Sequence, residues 1–215
     1  MLEKIERVLK PGGKIVFGAE PITKDFPLPW GLRMDGQSLW AIRKNGWLEL
    51  GFNRNYFTKA INRINMVIEY FDGSDGPWSR VAIAQRAEDA ILNFTPESGQ
   101  LRTQIGRLTP LGIEGGSESG FLLFGPHKSL PAGTYEVTMH FDTKRQDAVP
   151  LELDIVSSGG ANIHAKSHCI VTKKETIYKI EFCINDSVLD IEARVHSKTD
   201  TTGLLLSKVI VKPII

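Results

Sequence analysis

The sequence predicts an α/β segment followed by an all-β sandwich of the jelly-roll type, and three observations carry that reading. All four tryptophans (Trp30, Trp40, Trp47, Trp78) fall within the first 84 of 215 residues. That stretch holds 12 basic and 9 acidic residues, a net of +3, leaving 14 basic and 16 acidic, a net of −2, for the rest. Apolar residues recur at helical spacing early in the chain and at alternate positions late in it. The expected organisation is a first domain at 1–84, a linker at 85–98 and a sandwich at 99–215. The linker is placed there because AEDAILNFTPESGQ is polar and ends in turn formers.

The early elements follow in order. Leu2, Ile5, Val8 and Leu9 mark a helix that Pro11-Gly12-Gly13 stops, and Ile15-Val16-Phe17 reads as a buried strand. A proline-rich loop follows, with Pro21, Pro27 and Pro29. SLWAIRKNG, from Ser38, has a serine cap and a glycine stop at Gly46, which predicts a helix. A second helix is expected from about Asn55 to Arg63. MVIEYF and RVAIAQR then flank DGSDGPWS as the two strands of a long hairpin.

The later elements are strands. Tyr135, Val137, Met139 and Phe141 alternate with Glu136, Thr138 and His140, and Leu151, Leu153 and Ile155 alternate with Glu152 and Asp154. The pattern recurs in YKIEFCI, in LDIEARV and in the closing LLLSKVIVKPI. Alternation of this kind buries one face of each strand, and two such sheets packed face to face make a sandwich.

Composition narrows the function classes. The chain is 41% hydrophobic and 24% charged, which suits a globular protein, and its net charge is +1. That balance argues against nucleic-acid or anionic-membrane binding by bulk charge. Two cysteines cannot build a disulfide framework. The start, MLEKIERVLKPGG, is charged where a signal peptide needs an apolar core, and no apolar run nears the ~18 residues of a membrane span. The expectation is a cytoplasmic protein.

The residues RVLKPGGKIVF, a helix stopped by proline and glycines and followed at once by a strand, resemble the fifth-strand region of class I S-adenosylmethionine-dependent methyltransferases. GWLELGF, the helix after it, and the MVIEYF/RVAIAQR pair are similar to the last helices and strands of that doubly wound sheet. The resemblance implies the C-terminal portion of such an enzyme, with S-adenosylmethionine as cofactor in the intact family. The glycine-rich loop and the ribose-binding acid of that family would precede Met1, so this chain alone is expected to hold no cofactor and to be inactive. An open sheet edge on the missing side offers a route to a homo-oligomer.

Glu20, Trp30, Arg33 and Asp35 lie in the loop after the presumed fifth strand, where doubly wound sheets collect ligands. They are candidates for acceptor binding: Trp30 to stack, Arg33 to fork onto an anion, Glu20 or Asp35 to orient a hydroxyl or take its proton. Local Arg–Asp pairing with Trp30 over the prolines explains the same residues without a ligand. GIEGGSESG, from Gly112, precedes a strand rather than a helix and reads as a sandwich-edge loop, not a phosphate cradle. His164 and His168, four apart on a strand, stand ~13 Å apart and do not share a metal ion; no metal site is assigned. Neither Cys169 nor Cys183 has a partner that marks a nucleophile.

FGPHKSLPAGTYEVTMHF, EARV and GLLLSKVIVKP are similar to the carbohydrate-binding jelly rolls appended to glycan-processing enzymes. This half has no tryptophan, and Tyr135, Phe141, Tyr178 and Phe182 fall in the core phase. His127, Asp142 and Arg145, with other loop polars, remain as glycan-binding candidates. The combined expectation is a methyltransferase portion acting on a glycan or glycan precursor, with an appended sandwich. The alternative is a non-catalytic carbohydrate-binding or assembly module.

Overall fold

The structure, a computed structural model, describes residues 9–18, 39–44, 47–71, 78–79 and 81–214. The chain divides into two compact units, Met1–Asp89 and Ala90–Ile215.

In the first unit, β1 (Lys14–Gly18), β2 (Leu39–Lys44), β3 (Trp47–Asn53), α1 (Arg54–Asn62), β4 (Met66–Phe71), β5 (Trp78–Ser79) and β6 (Val81–Arg86) follow in order. Pro11-Gly12 turns the chain into β1: Gly12 takes φ +71, a conformation that favours glycine, and the Gly13 amide donates to the Lys10 carbonyl at 2.8 Å. β1, β6 and β4 form a three-stranded sheet in that order, and β2, β3 and β5 form a second. Asn53 caps α1 by accepting the Tyr56 amide at 3.1 Å. Ile61 of α1 packs with Met66, Ile68, Ala82 and Ala84, and Phe57 meets the edge of Phe17 at 5.0 Å.

This unit corrects the expected fold class. A doubly wound sheet has a parallel core with helices on both faces. Among the described residues every strand pair here is antiparallel and one α-helix is present. The stretch from Ser38, expected as a helix, contains β2, paired with β3 so that Lys44 lies opposite Trp47. Between them the sequence reads Asn-Gly, the residue pair that favours a two-residue hairpin, and that preference outweighs the serine-cap and glycine-stop signal. Val16, expected to be buried, is 64% exposed, while Ile15 and Phe17 pack against the cluster of Ile61, Met66, Ile68, Ala82 and Ala84. The α/β methyltransferase fragment is therefore set aside, and the enzyme reading that rested on it goes with it. The helix after Asn53 and the β4/β6 hairpin do match expectation.

The second unit holds β7 (Leu92–Phe94), β8 (Arg107–Thr109), β9 (Gly112–Glu114), β10 (Gly120–Leu123), β11 (Lys128–Leu130), β12 (Gly133–Thr143), β13 (Val149–Ser157), β14 (Asn162–Val171), β15 (Ile177–Ile184), β16 (Val188–Ser197) and β17 (Leu204–Pro213). One sheet runs β10-β16-β13-β14, with β11 also on β16; the other runs β15-β12-β17-β9-β8, with β7 also on β17. The alternating apolar residues of β12, β13, β15, β16 and β17 are the buried ones, so the sheets form the expected sandwich. Two breaks in phase, Leu206 to Val209 on β17 and Ile155 to Val156 on β13, coincide with register shifts, the first opposite His140 and Phe141 and the second against β14. Residues 85–98 include the end of β6 and all of β7, whose Leu92 and Phe94 are buried opposite Val211 and Val209.

GIEGGSESG forms β9 and the loop to β10. A Cβ at Gly116 would stand 2.1 Å from the Ile105 carbonyl oxygen, and the Thr201 amide and hydroxyl both donate to the Gly116 carbonyl. These glycines allow backbone segments to touch.

Candidate functional site

The face of the β10-β16-β13-β14 sheet turned away from the core carries a row of side chains set by strand register. Phe121 on β10 lies opposite His196 on β16, His196 opposite Glu152 on β13, and Glu152 opposite His168 on β14. At ~4.8 Å per strand, the four positions span about 14 Å. The next row towards the middle of the sheet pairs Arg194 with Asp154, whose carboxylate accepts two guanidinium bonds at 2.8 and 2.6 Å. Arg194 also sits 5.2 Å over the Phe121 ring, and the His196 ring meets Phe121 edge-on at 5.2 Å. The imidazole at 196 is thus held from one side by an aromatic ring that an ion pair itself holds.

Beside this row is a hollow of about 270 Å³, lined by Pro150, Glu152, His168, Ile170, His196 and Lys198 together with Leu151 and Cys169. Pro150 and Ile170 are register partners, and Ile170 is 54% exposed, so one wall is apolar. Glu152 accepts from Lys198 at 2.5 Å and has Lys166 at 3.6 Å. The Lys198 hydrogen bond, with charge from Lys198, Lys166 and His168, holds the Glu152 carboxyl below the usual carboxylate range. His196 Nδ1 is buried and makes no hydrogen bond within the protein. Buried polar atoms in folded proteins rarely lack a partner, so this nitrogen calls for an explanation. The hollow therefore offers an acceptor (Glu152), a cationic donor (Lys198), a lining imidazole (His196) and an apolar wall.

The opposite sheet presents a second polar group. Glu136, on the outward phase of β12, is only 8% exposed and takes Lys179 and Lys212 at 3.2 Å and the Thr138 hydroxyl at 3.0 Å. Burial raises the carboxyl pKa, the three hydrogen bonds outweigh it, and the net shift is downward. All three partners close on Glu136 itself, so the cluster is internally satisfied.

The sequence-derived site residues are not gathered at one place. Glu20, Trp30, Arg33 and Asp35 lie outside the described residues. His127, in the β10–β11 connection, has Nε2 3.8 Å from the Glu192 carboxylate near the middle of β16. Asp142 is exposed on β12, opposite Leu205 of β17. Arg145, before β13, donates to Asp147, to the Asp200 carboxylate and to the carbonyls of Asp200 and Thr202 beyond the end of β16. The five residue steps from Glu192 to the end of β16 at Ser197 alone span roughly 16 Å, so His127 and Arg145 serve different regions. Both carboxylates raise the Arg145 pKa, and the guanidinium in turn helps to lower theirs. Arg145 ties two loops together.

His164 bonds through Nε2 to the Ser157 hydroxyl at 2.8 Å, whereas His168 faces the hollow. Among the described residues no group of three His, Cys, Asp or Glu side chains converges closely enough to hold a metal ion. Cys169 is buried, which pushes its thiol up to about 12, and Cys183 is exposed. Glu152, Ile170, His196 and Lys198 were not singled out by sequence reasoning. The available signal was the polar phase of LELDI and EARVHS, which identifies outward positions but not which of them become neighbours.

Comparison with known proteins gives fold neighbours and no relatives. No protein-family model matches the chain, and no curated protein sequence does. Among solved structures, the chain is similar to a carbohydrate-binding module of Cellvibrio mixtus lichenase 5A, solved with cellotriose, at 12% identity and TM-score 0.37, covering 57% of this chain and 97% of that one. It is similar to the C-terminal module of a Zobellia galactanivorans laminarinase at 9% identity and TM-score 0.36, covering 57% and 99%. A third is TmCBM61 in complex with β-1,4-galactotriose, at 12% identity and TM-score 0.37, covering 59% and 90%. These neighbours are jelly-roll β-sandwiches. No helix among the described residues is long and apolar enough to cross a membrane.

Proposed function

We propose that the second unit is a non-catalytic carbohydrate-binding module and that the hollow on β13, β14 and β16 is its sugar site. One observation carries the reading: a carboxylate, an ammonium and an imidazole ring meet an exposed apolar wall in one hollow. A pyranose presents the matching chemistry. Its hydroxyls both donate and accept, so one can donate to Glu152 while accepting from Lys198, and its axial C–H face suits Pro150 and Ile170. The His196 ring adds to the wall. Its edge contact with Phe121 limits the entropy lost on binding.

The test is a glycan array on the full chain, repeated with His196→Ala and with Arg145→Lys. Specific signals that weaken about tenfold or more in His196→Ala, at unchanged folding, support the reading; tenfold corresponds to ~1.4 kcal/mol. Arg145→Lys should leave the signals in place, because that side chain is spent on loop contacts. A folded protein that gives no glycan signal refutes the proposal.

A further inference from the structure

We infer that the hollow takes one pyranose ring at the end of a glycan, and not a run of residues within a chain; this rests on the sugar-site reading above. The hollow is small, about 270 Å³, and sits at one end of the strands that line it.

Its inner end is blocked. Along the strands, Asp154 and Arg194 stand two residues further in from Glu152 and His196 on the same face, locked to each other by two hydrogen bonds. Continuing a chain past them would bury or break a bidentate ion pair, which is costly unless both partners are satisfied anew. Phe121 is covered by Arg194 and by His196, so its ring face is not a stacking platform for a second sugar. On the other side the hollow runs out to Pro150, near the start of β13, to Ile170, near the end of β14, and to Lys198, past the end of β16. A ring enters from the strand ends and stops. The hydroxyls on its leading edge face Glu152, the His196 ring stands beside them, and the glycosidic oxygen trails outward.

The experiment is a chain-length series by titration calorimetry on the full chain. The probes are methyl β-D-pyranosides of glucose, galactose, mannose and xylose, with the matching β-1,4-linked disaccharides and tetrasaccharides. The inference expects at least one methyl pyranoside to bind with a Kd within about threefold of its tetrasaccharide. It also expects Ile170→Asp, a change at an exposed position, to weaken that binding by about tenfold or more with an unchanged melting temperature. A tetrasaccharide at least tenfold tighter than its methyl pyranoside overturns the single-ring inference and leaves the sugar-site reading standing. Failure of every probe, long or short, overturns both. Equal affinities that survive Ile170→Asp overturn the placement of the ring in this hollow.

Discussion

Replacing Phe94 by alanine tests whether the second unit begins before residue 99, as the pairing of β7 with β17 implies. Phe94 is 3% exposed and lies opposite Val209, itself fully buried. A phenylalanine side chain that buries ~200 Å² contributes at most about 5 kcal/mol at ~25 cal/mol per Å². Phe→Ala substitutions in cores cost about 3–5 kcal/mol, which agrees. For a unit of this size 1 kcal/mol moves the midpoint by roughly 3–5 °C, so the sandwich transition should fall by about 10–20 °C. Leu92→Ala should cost about 2–5 kcal/mol by the same mechanism. Asn93, exposed between them, should tolerate alanine within about 0.5 kcal/mol. Differential scanning calorimetry of the full chain resolves the transition. A Phe94→Ala protein that melts within 2 °C (about half a kcal/mol) of the parent would refute the placement of β7 in the sandwich core.

Further expectations follow from the same packing and charges. Gly116→Ala should lower the sandwich midpoint, because the new Cβ meets the Ile105 carbonyl oxygen and the loop has to shift; an unchanged calorimetric midpoint contradicts this. Glu136, Asp147, Glu152 and Asp200 all have depressed folded-state pKa values, so the stability they contribute is present above the unfolded carboxylate range, near pH 4. That stability is lost as pH falls through the folded values. Midpoints measured from pH 7 to pH 3 should therefore stay level at first and drop below about pH 4; a rise on acidification would reverse the sign. Iodoacetamide at pH 8 should label Cys183 and leave Cys169 unmodified in the folded protein, since burial pushes the Cys169 thiol up to about 12. Peptide mass mapping reads this directly, and equal labelling of both would contradict the buried placement.

The long strands were legible because their burial is one-sided. Tyr135 to Phe141, Leu151 to Ile155, Ile180 to Ile184 and Ile191 to Val195 write the core phase directly into the sequence. The short strands β7 to β11 have three or four residues each, too few to establish a period, and β7 sits in a segment whose polarity suggested a linker. The first unit misled because LKPGG and a short apolar run describe a turn into a strand in many folds. They do not specify whether the neighbours of that strand run parallel. Ser38 and Gly46 imitated a helix frame, whereas Asn45-Gly46 carried the stronger hairpin signal.

The candidate hollow was not legible for a different reason. His168, Glu152 and His196 are separated by 16 and 44 residues in sequence, and only the register of β14 on β13 and β13 on β16 makes them neighbours. A shift of one residue in either ladder would turn one of them into the core. Arg145 shows the converse. It looked like a free loop cation in the sequence, and its guanidinium proves to be occupied by Asp147, Asp200 and two carbonyls.

The most direct test of the central claim is backbone amide shift mapping of the full chain as a glycan that scores on the array is titrated in. The account predicts that the largest shifts fall on three segments distant in sequence, Leu151–Glu152, His168–Ile170 and His196–Lys198 (Pro150 having no amide), while Arg145, Asp147 and Asp200 stay still. Shifts centred instead on His127, Asp142 and Arg145, with the three strand segments unmoved, would contradict it.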